Sequence, residues 1–131
     1  MSDYPSDLRY TRDHTWVRTE NSDVLTVGIT SYAADRLGDV TFVELPKVDH
    51  TLDDQEPFGS IESFETTSDL FLPMGGTITS VNEGVTDDPQ AVNADSYGEG
   101  WLVRLRPNDA KAYDGLLTAA QYEAFVKEDA D

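Results

Sequence analysis

Short segments of alternating apolar and polar residues, separated by turn residues at intervals of roughly 8 to 12, recur through most of this chain. The clearest is "DVTFVELP", residues 39–46, where strict alternation predicts a strand. Its two faces are predicted to be Val40 and Phe42 on one side, and Thr41, Val43 and Leu45 on the other. So many short strands in one chain predict a mainly β sandwich or barrel.

Further strands are predicted on both sides of "ENSD", on both sides of "FETTS", in "GGTITSVN" and in "GWLVRLRP". The "FETTS" pair forms a hairpin, because the connection is short. Helical segments are predicted in "TSYAADRLGD", capped by Thr30 or Ser31 and ended by Gly38, and as brief turns at "TDDPQAV" and "NDAKAYDG". In "TAAQYEAFVKE", Thr118 and Gln121 have capping-box spacing, which predicts a C-terminal helix docked on the sheet.

Charge and composition narrow the range of functions. The chain has 131 residues, enough for one domain, and a formal net charge of −17. Such a field repels phosphate backbones and anionic lipids, so no nucleic-acid partner and no membrane partner is expected. The start "MSDYPSDLRY" has no basic, apolar signal pattern, and a cytoplasmic location is predicted.

No catalytic constellation is found in the sequence. The chain has no cysteine, and its two histidines, His14 and His50, each have only an adjacent aspartate, so they are interpreted as surface residues and no metal site is predicted. "GSIES" lacks nucleophile-elbow spacing, and "YGEGW" does not match a phosphate loop. The chain is therefore predicted not to be an enzyme.

Four blocks of residues carry a family resemblance. They are "VGITSYAADRLGDVTFVELP" (27–46), "FGSIES" (58–63), "SDLFLPMGG" (68–76) and "VNADSYGEGWL" (92–102). In this order they resemble the H proteins of the glycine cleavage system, which have the lipoyl-domain fold. The resemblance implies a lipoyl/biotinyl-like barrel-sandwich hybrid with an inserted short helix and a C-terminal helix. It implies one domain over residues 1–131, with a flexible segment 1–7 and the C-terminal helix at 118–128.

The same resemblance implies a carrier hairpin. Family members read E-S-V-K-x-x-S-D across the tip, and the lysine accepts lipoate in amide linkage. This chain has Glu65 at the lysine position, with Ser63, Phe64, Thr66 and Thr67 forming the rest of the tip. A carboxylate cannot form that amide, and a biotinyl group would need the same amine. The sequence therefore predicts that no cofactor is attached.

The resemblance also implies a cleft that receives the arm. Its positions here are Thr15, Glu62, Ser68 and Asp69. The family's H-E-W reads His14-Thr15-Trp16, so the glutamate of that motif is absent as well.

Three hypotheses follow. The first is an H-protein-like domain without lipoate that acts as a binding or regulatory protein. The alternative is an authentic lipoyl carrier, the aminomethyl shuttle of glycine decarboxylation, seen as a Lys-to-Glu variant at position 65. The third, with little support, is an enzyme that uses Asp69 with Glu62 or Glu65 in the former cleft. The partners implied by the resemblance are glycine decarboxylase, aminomethyltransferase, dihydrolipoamide dehydrogenase or a lipoate-handling enzyme.

Overall fold

The structure is a computed structural model that describes residues 4–20, 24–53 and 56–130. Its strands are β1 (Arg9–Tyr10), β2 (Thr15–Thr19), β3 (Leu25–Ile29), β4 (Val40–Glu44), β5 (Thr51–Leu52), β6 (Pro57–Ser63), β7 (Thr67–Phe71), β8 (Gly76–Val81) and β9 (Val103–Pro107). Its helices are α1 (Ser31–Leu37), α2 (Glu83–Asp87), α3 (Ala91–Ala94), α4 (Ala119–Ala130) and a 3-10 helix, η1 (Ala110–Gly115).

Two antiparallel sheets make up the fold. The larger has the strand order β1-β2-β3-β9-β8-β5, and the smaller has the order β4-β6-β7. All described strand pairs are antiparallel, and neither sheet closes on itself. This arrangement confirms the predicted mainly β fold with a short inserted helix and a C-terminal helix.

The larger sheet is covered on both faces, which explains why every residue of β3 is buried. Val17 and Val27 belong to the main core, together with Val43 and Ile61 of the smaller sheet. Trp16 belongs to a second cluster, with Tyr10 and with Tyr122 of α4. Because neighbouring side chains of a strand point to opposite faces, Val17 packs in the main core and Trp16 packs in the second cluster.

The packing of Trp16 in the second cluster leaves room only for glycine at position 28. In the register of β2 and β3, Trp16 lies opposite Gly28. A Cβ atom at position 28 would come within 2.6 Å of the indole ring, closer than any real contact. The indole N–H donates to the carbonyl oxygen of Ser96 at 2.8 Å, so the buried ring has its polar partner.

The predicted faces of β4 are wrong. A bulge between Val40 and Phe42 shifts the register against β6. Val40 and Val43 are buried, at 1% and 2% exposure, whereas Phe42 is 45% exposed. An extra residue in one strand moves all later side chains to the other face, and strict alternation in the sequence does not show it.

The helix ends follow the predicted capping chemistry. The Thr30 side chain accepts from the amide of Ala33 at the start of α1, and Gly38 ends that helix with φ +81°. At α4, the Thr118 amide donates to the Gln121 side chain at 2.9 Å, and the Gln121 amide donates to Thr118 Oγ1 at 3.2 Å. The single cap by Thr30 and the reciprocal cap by Thr118 and Gln121 are therefore both present, as predicted.

The segment 82–95 differs from its prediction. A helix, α2, precedes the predicted turn, and Asp88 is its C-terminal cap. The turn itself is present, with the Ala91 amide donating to the Asp88 carbonyl oxygen, but α3 begins only at Ala91. The predicted "ENSD" connection falls partly on residues 21–23, outside the described residues. Across the described residues, no helix combines the length and apolar character needed to cross a bilayer.

Candidate functional site

The hairpin formed by β6 and β7 ends in a short exposed turn. The last paired residues are Glu62 and Thr67. The turn is closed by the Ser63 amide, which donates to the Thr66 carbonyl oxygen at 2.8 Å. Ser63 Oγ also accepts from the amides of Glu65 and Thr66, each at 3.3 Å. One serine hydroxyl therefore organises the tip, as serine commonly does in turns.

The tip projects its side chains into solvent. Phe64 is 81% exposed, and Glu65, Thr66 and Thr67 are exposed as well. Below the tip, β6 is the central strand of its sheet and pairs with both β4 and β7. The turn is thus accessible while its base is fixed on both sides, which suits a site that other proteins must reach.

A cleft lies beside the hairpin. Its volume is about 300 Å³, and it is bounded by the hairpin, by α1 and by the turn that precedes β2. The lining residues are Asp13, His14 and Thr15 from the turn, Ile29 of β3, Ala33, Arg36 and Leu37 of α1, and Ile61 with Thr66–Leu70 from the hairpin. Asp13, Asp69 and Arg36 are the charged residues in this lining.

Three of the four positions expected in the cleft are found there. Thr15, Ser68 and Asp69 line it, but Glu62 does not. Ile61 belongs to the main core, so its neighbour Glu62 lies on the other face of β6, where it pairs with Phe42 of β4. Thr15 is 4% exposed and its hydroxyl donates to the Phe71 carbonyl oxygen at 3.2 Å, so it ties the turn to β7.

Three further cleft residues were not predicted from the sequence: Asp13, His14 and Arg36. A signal for Arg36 existed, because Ala33, Arg36 and Leu37 have the spacing of one helix face. Arg36 also donates to Tyr32 Oη at 3.1 Å, and its guanidinium lies 5.4 Å from the centre of that ring. No sequence pattern marks Asp13, which reaches the cleft only through the turn before β2.

His14 is not the surface residue that the sequence suggested. It is partly buried, has φ +68°, and its Nδ1 lies 2.7 Å from Tyr122 Oη. Tyr122 Oη also lies 2.8 Å from Thr30 Oγ1. Burial raises the pKa of Tyr122, so the phenol stays protonated and can donate to one of these partners. His14 therefore links the cleft to α4.

Two further aromatic rings pack against Tyr122. Tyr10 stacks on it with centroids 4.8 Å apart, and Tyr4 meets it edge-on at 4.9 Å. We call Tyr4, Tyr10 and Tyr122 the tyrosine cluster. Burial also raises the pKa of Tyr10, whose hydroxyl donates to the Pro5 carbonyl oxygen at 2.6 Å.

Comparison with known proteins identifies the family. The glycine cleavage H-protein family matches residues 8–129. The chain belongs to the glycine cleavage H-protein family. It is 48% identical over 124 residues to the glycine cleavage system H protein of Geobacillus kaustophilus, covering 95% of this chain and 97% of that one. It is 49% identical over 123 residues to that of Bacteroides thetaiotaomicron, with coverages of 94% and 97%.

A solved structure shows the same fold. The crystal structure of a glycine cleavage system H protein from Mycobacterium marinum superposes with a TM-score of 0.86 at 40% identity, covering 95% of this chain and 99% of that one. H proteins are carriers and not catalysts, in agreement with the prediction that the chain is not an enzyme.

Family membership corrects the cofactor prediction. The glycine cleavage H protein bears lipoate, so lipoate is the expected cofactor, and the prediction that this chain has none is wrong. The comparisons also support an authentic H protein over a regulatory homologue without lipoate. None of them identifies residue 65 as a replaced lysine.

The tip residues themselves do not supply an attachment group. An amide link to lipoate requires a primary amine, and the side chain at position 65 of this sequence is a carboxylate. The lysines of the chain are Lys47, Lys111 and Lys127, which are exposed and lie outside the hairpin.

Proposed function

We propose that this protein is the carrier H protein of a glycine cleavage system, and that position 65 is the attachment position of its lipoyl arm when that residue is lysine. The observation that carries the proposal is the family match over residues 8–129. That match covers both sheets, including the β6–β7 hairpin of the smaller one, so the part of the molecule that presents the tip lies within the family match.

The geometry of the hairpin supports a carrier. A group held at position 65 would stand on the exposed turn, while β6 and β7 remain paired with each other and β6 with β4. A modifying enzyme could then reach the tip without unfolding any strand. The Ser63 hydroxyl holds the backbone at 65 and 66 and does not depend on which side chain residue 65 has.

The cleft supports the same function. It reaches from Thr66 at the tip to Asp13 and His14 at the start of β2, so a flexible group attached at the tip has a recess beside it. Asp13 and Asp69 line the cleft and are exposed, and they would favour a cationic end of such a group because opposite charges attract. We propose Thr15, Ser68 and Asp69 as the cleft residues that matter for the carrier role.

A single substitution tests the proposal. The Glu65→Lys variant is incubated with lipoate ligase, ATP and lipoate, and its intact mass is measured. We expect the variant to gain one lipoyl group because the turn geometry is already in place. The loaded variant is then mixed with glycine decarboxylase, aminomethyltransferase and dihydrolipoamide dehydrogenase, and NADH formation that depends on glycine is followed.

Matched variants locate the modification. Thr66→Lys places the same amine one residue further along the turn and is expected to be modified poorly, because recognition of a hairpin tip depends on position. The unchanged chain, isolated from its own cells, is measured in parallel with peptide mapping of Lys47, Lys111 and Lys127. If loaded Glu65→Lys supports no glycine oxidation, the carrier function is refuted.

The partners of the carrier follow from this function. We expect glycine decarboxylase, aminomethyltransferase and dihydrolipoamide dehydrogenase to bind the hairpin end of the molecule. A lipoate-handling enzyme would bind it as well. The cytoplasmic location stays a prediction, as does the single-domain organisation of residues 1–131.

A further inference from the structure

A surface groove lies along β4, at the edge of the smaller sheet and away from the cleft. It has a volume of about 460 Å³ and runs between β4, with the residues that follow it, and α2. Its apolar lining is Phe42, Val43, Leu45, Pro46 and Val81. Among the strands of residues 4–20, 24–53 and 56–130, β4 pairs with β6 alone, so it is an edge strand of its sheet.

Phe42 is the unusual residue of the groove. It is 45% exposed, although a phenylalanine is normally covered by its own protein. The bulge in β4 causes this exposure, because it turns Val40 and Val43 inward and Phe42 outward. Val43, Leu45 and Val81, buried or partly buried, form a fixed floor beside the ring.

Carboxylates surround the apolar floor. Glu44, Glu83 and Asp87 line the groove and are all exposed, and its lining contains no lysine or arginine. The basic residue nearest along the chain is Lys47, which follows Pro46 and does not line the groove. The groove is therefore complementary to an apolar side chain flanked by positive charges.

The groove lies along the strand that pairs with the first arm of the hairpin. Phe42 pairs across the sheet with Glu62, and the next residue of β6 is Ser63, where the turn begins. Phe64 lies two residues beyond Glu62, the cross-strand partner of Phe42. The cleft and the groove have no lining residue in common.

We propose that this groove is the docking surface for the enzymes that act at the hairpin tip, and that they fill it with an apolar side chain between arginine or lysine residues. This inference rests on the proposed carrier function and adds the surface and the chemistry of the contact. Phe42 supplies the buried apolar area, and Glu44 with Asp87 supply orientation and speed of association. The cleft remains free during docking.

The test measures binding of purified glycine decarboxylase and aminomethyltransferase to the Glu65→Lys protein and to groove variants made in it. The double variant Glu44→Lys/Asp87→Lys reverses two groove charges and leaves Glu83 in the first turn of α2. We expect it to raise Kd about tenfold or more, mainly through slower association. Phe42→Ser is expected to raise Kd about tenfold, mainly through faster dissociation.

The matched control is Glu123→Lys/Glu128→Lys on α4, which changes the net charge equally. α4 contacts β1, at the edge of the larger sheet, and not the groove. The Kd of this control variant is expected to stay within about twofold of the parent at moderate salt, since charges far from an interface are largely screened. Circular dichroism and thermal unfolding confirm that each variant is folded.

The outcomes separate the two proposals. Equal losses in the groove and control double variants show that net charge alone matters and overturn the groove. Unchanged binding of Phe42→Ser and Glu44→Lys/Asp87→Lys overturns it as well, while the carrier function stands. If the Glu65→Lys protein is loaded and supports glycine oxidation but binds neither enzyme, the groove is overturned and the carrier function stands. Groove-specific losses for at least one enzyme support the inference.

Discussion

The hairpin tip and the tyrosine cluster contrast most strongly in this molecule. The tip is held by the Ser63 hydroxyl and exposes 81% of Phe64. In the cluster, Tyr10 and Tyr122 are 0% exposed and stack directly on one another. Sequence motifs point to the tip, yet the packing that stabilises the fold lies elsewhere. Functional recognition and folding stability are therefore expected to respond to different substitutions.

Removing a ring from the cluster is expected to have the largest effect on stability. Tyr122→Ala deletes a fully buried ring that contacts Tyr10, Tyr4 and His14. Large-to-small changes of aromatic core residues cost about 3–5 kcal/mol, so we expect a loss of that size in urea unfolding. A loss below about 1 kcal/mol would mean that α4 is not part of the cooperative unit.

A smaller change separates the hydroxyl from the ring. Tyr122→Phe keeps the stacking on Tyr10 but removes the oxygen near His14 and Thr30. We expect a loss of about 1–2 kcal/mol in the free energy of unfolding, because the hydrogen bonds of the Tyr122 hydroxyl to His14 and Thr30 are lost. Tyr113→Phe, which keeps the ring under Arg9, is the control and should change stability by less than about 0.5 kcal/mol.

The smallest effect is expected at the tip. Phe64→Ser should change the free energy of unfolding by less than about 0.5 kcal/mol, since the side chain is exposed. Thermal and urea unfolding of the variant beside the parent provide the measurement. A destabilisation close to that of Tyr122→Phe would contradict the proposed difference in stability between the tip and the tyrosine cluster. It would show that the tip is packed against another part of the molecule.

Most of the fold could be predicted from local signals. The strands around "ENSD" and "FETTS" and the caps at Thr30 and Thr118 depend on neighbouring residues and were found where expected. Two-residue strands such as β1 and β5 have no periodicity to detect. The bulge at Phe42 was missed for a different reason, because it is set by pairing with β6 and not by the β4 sequence alone.

The candidate site was predicted less completely. The tip and three cleft positions were placed by the family pattern, but Asp13 and His14 enter the cleft through a turn whose course depends on distant contacts. The cofactor prediction was wrong because it gave one exposed position more weight than the framework. Framework residues determine the family, whereas residue 65 determines only the chemistry available at the tip.

The order of strands in the two sheets has a consequence for synthesis on the ribosome. β4, β6 and β7 are close in sequence and can pair as soon as they leave the exit tunnel. β3 must wait for β9, whose residues Val103–Leu105 pair with its Val27–Leu25. Until then, the apolar edge of β3 is open, so a stalled or truncated nascent chain is the form of this protein that chaperones are expected to bind.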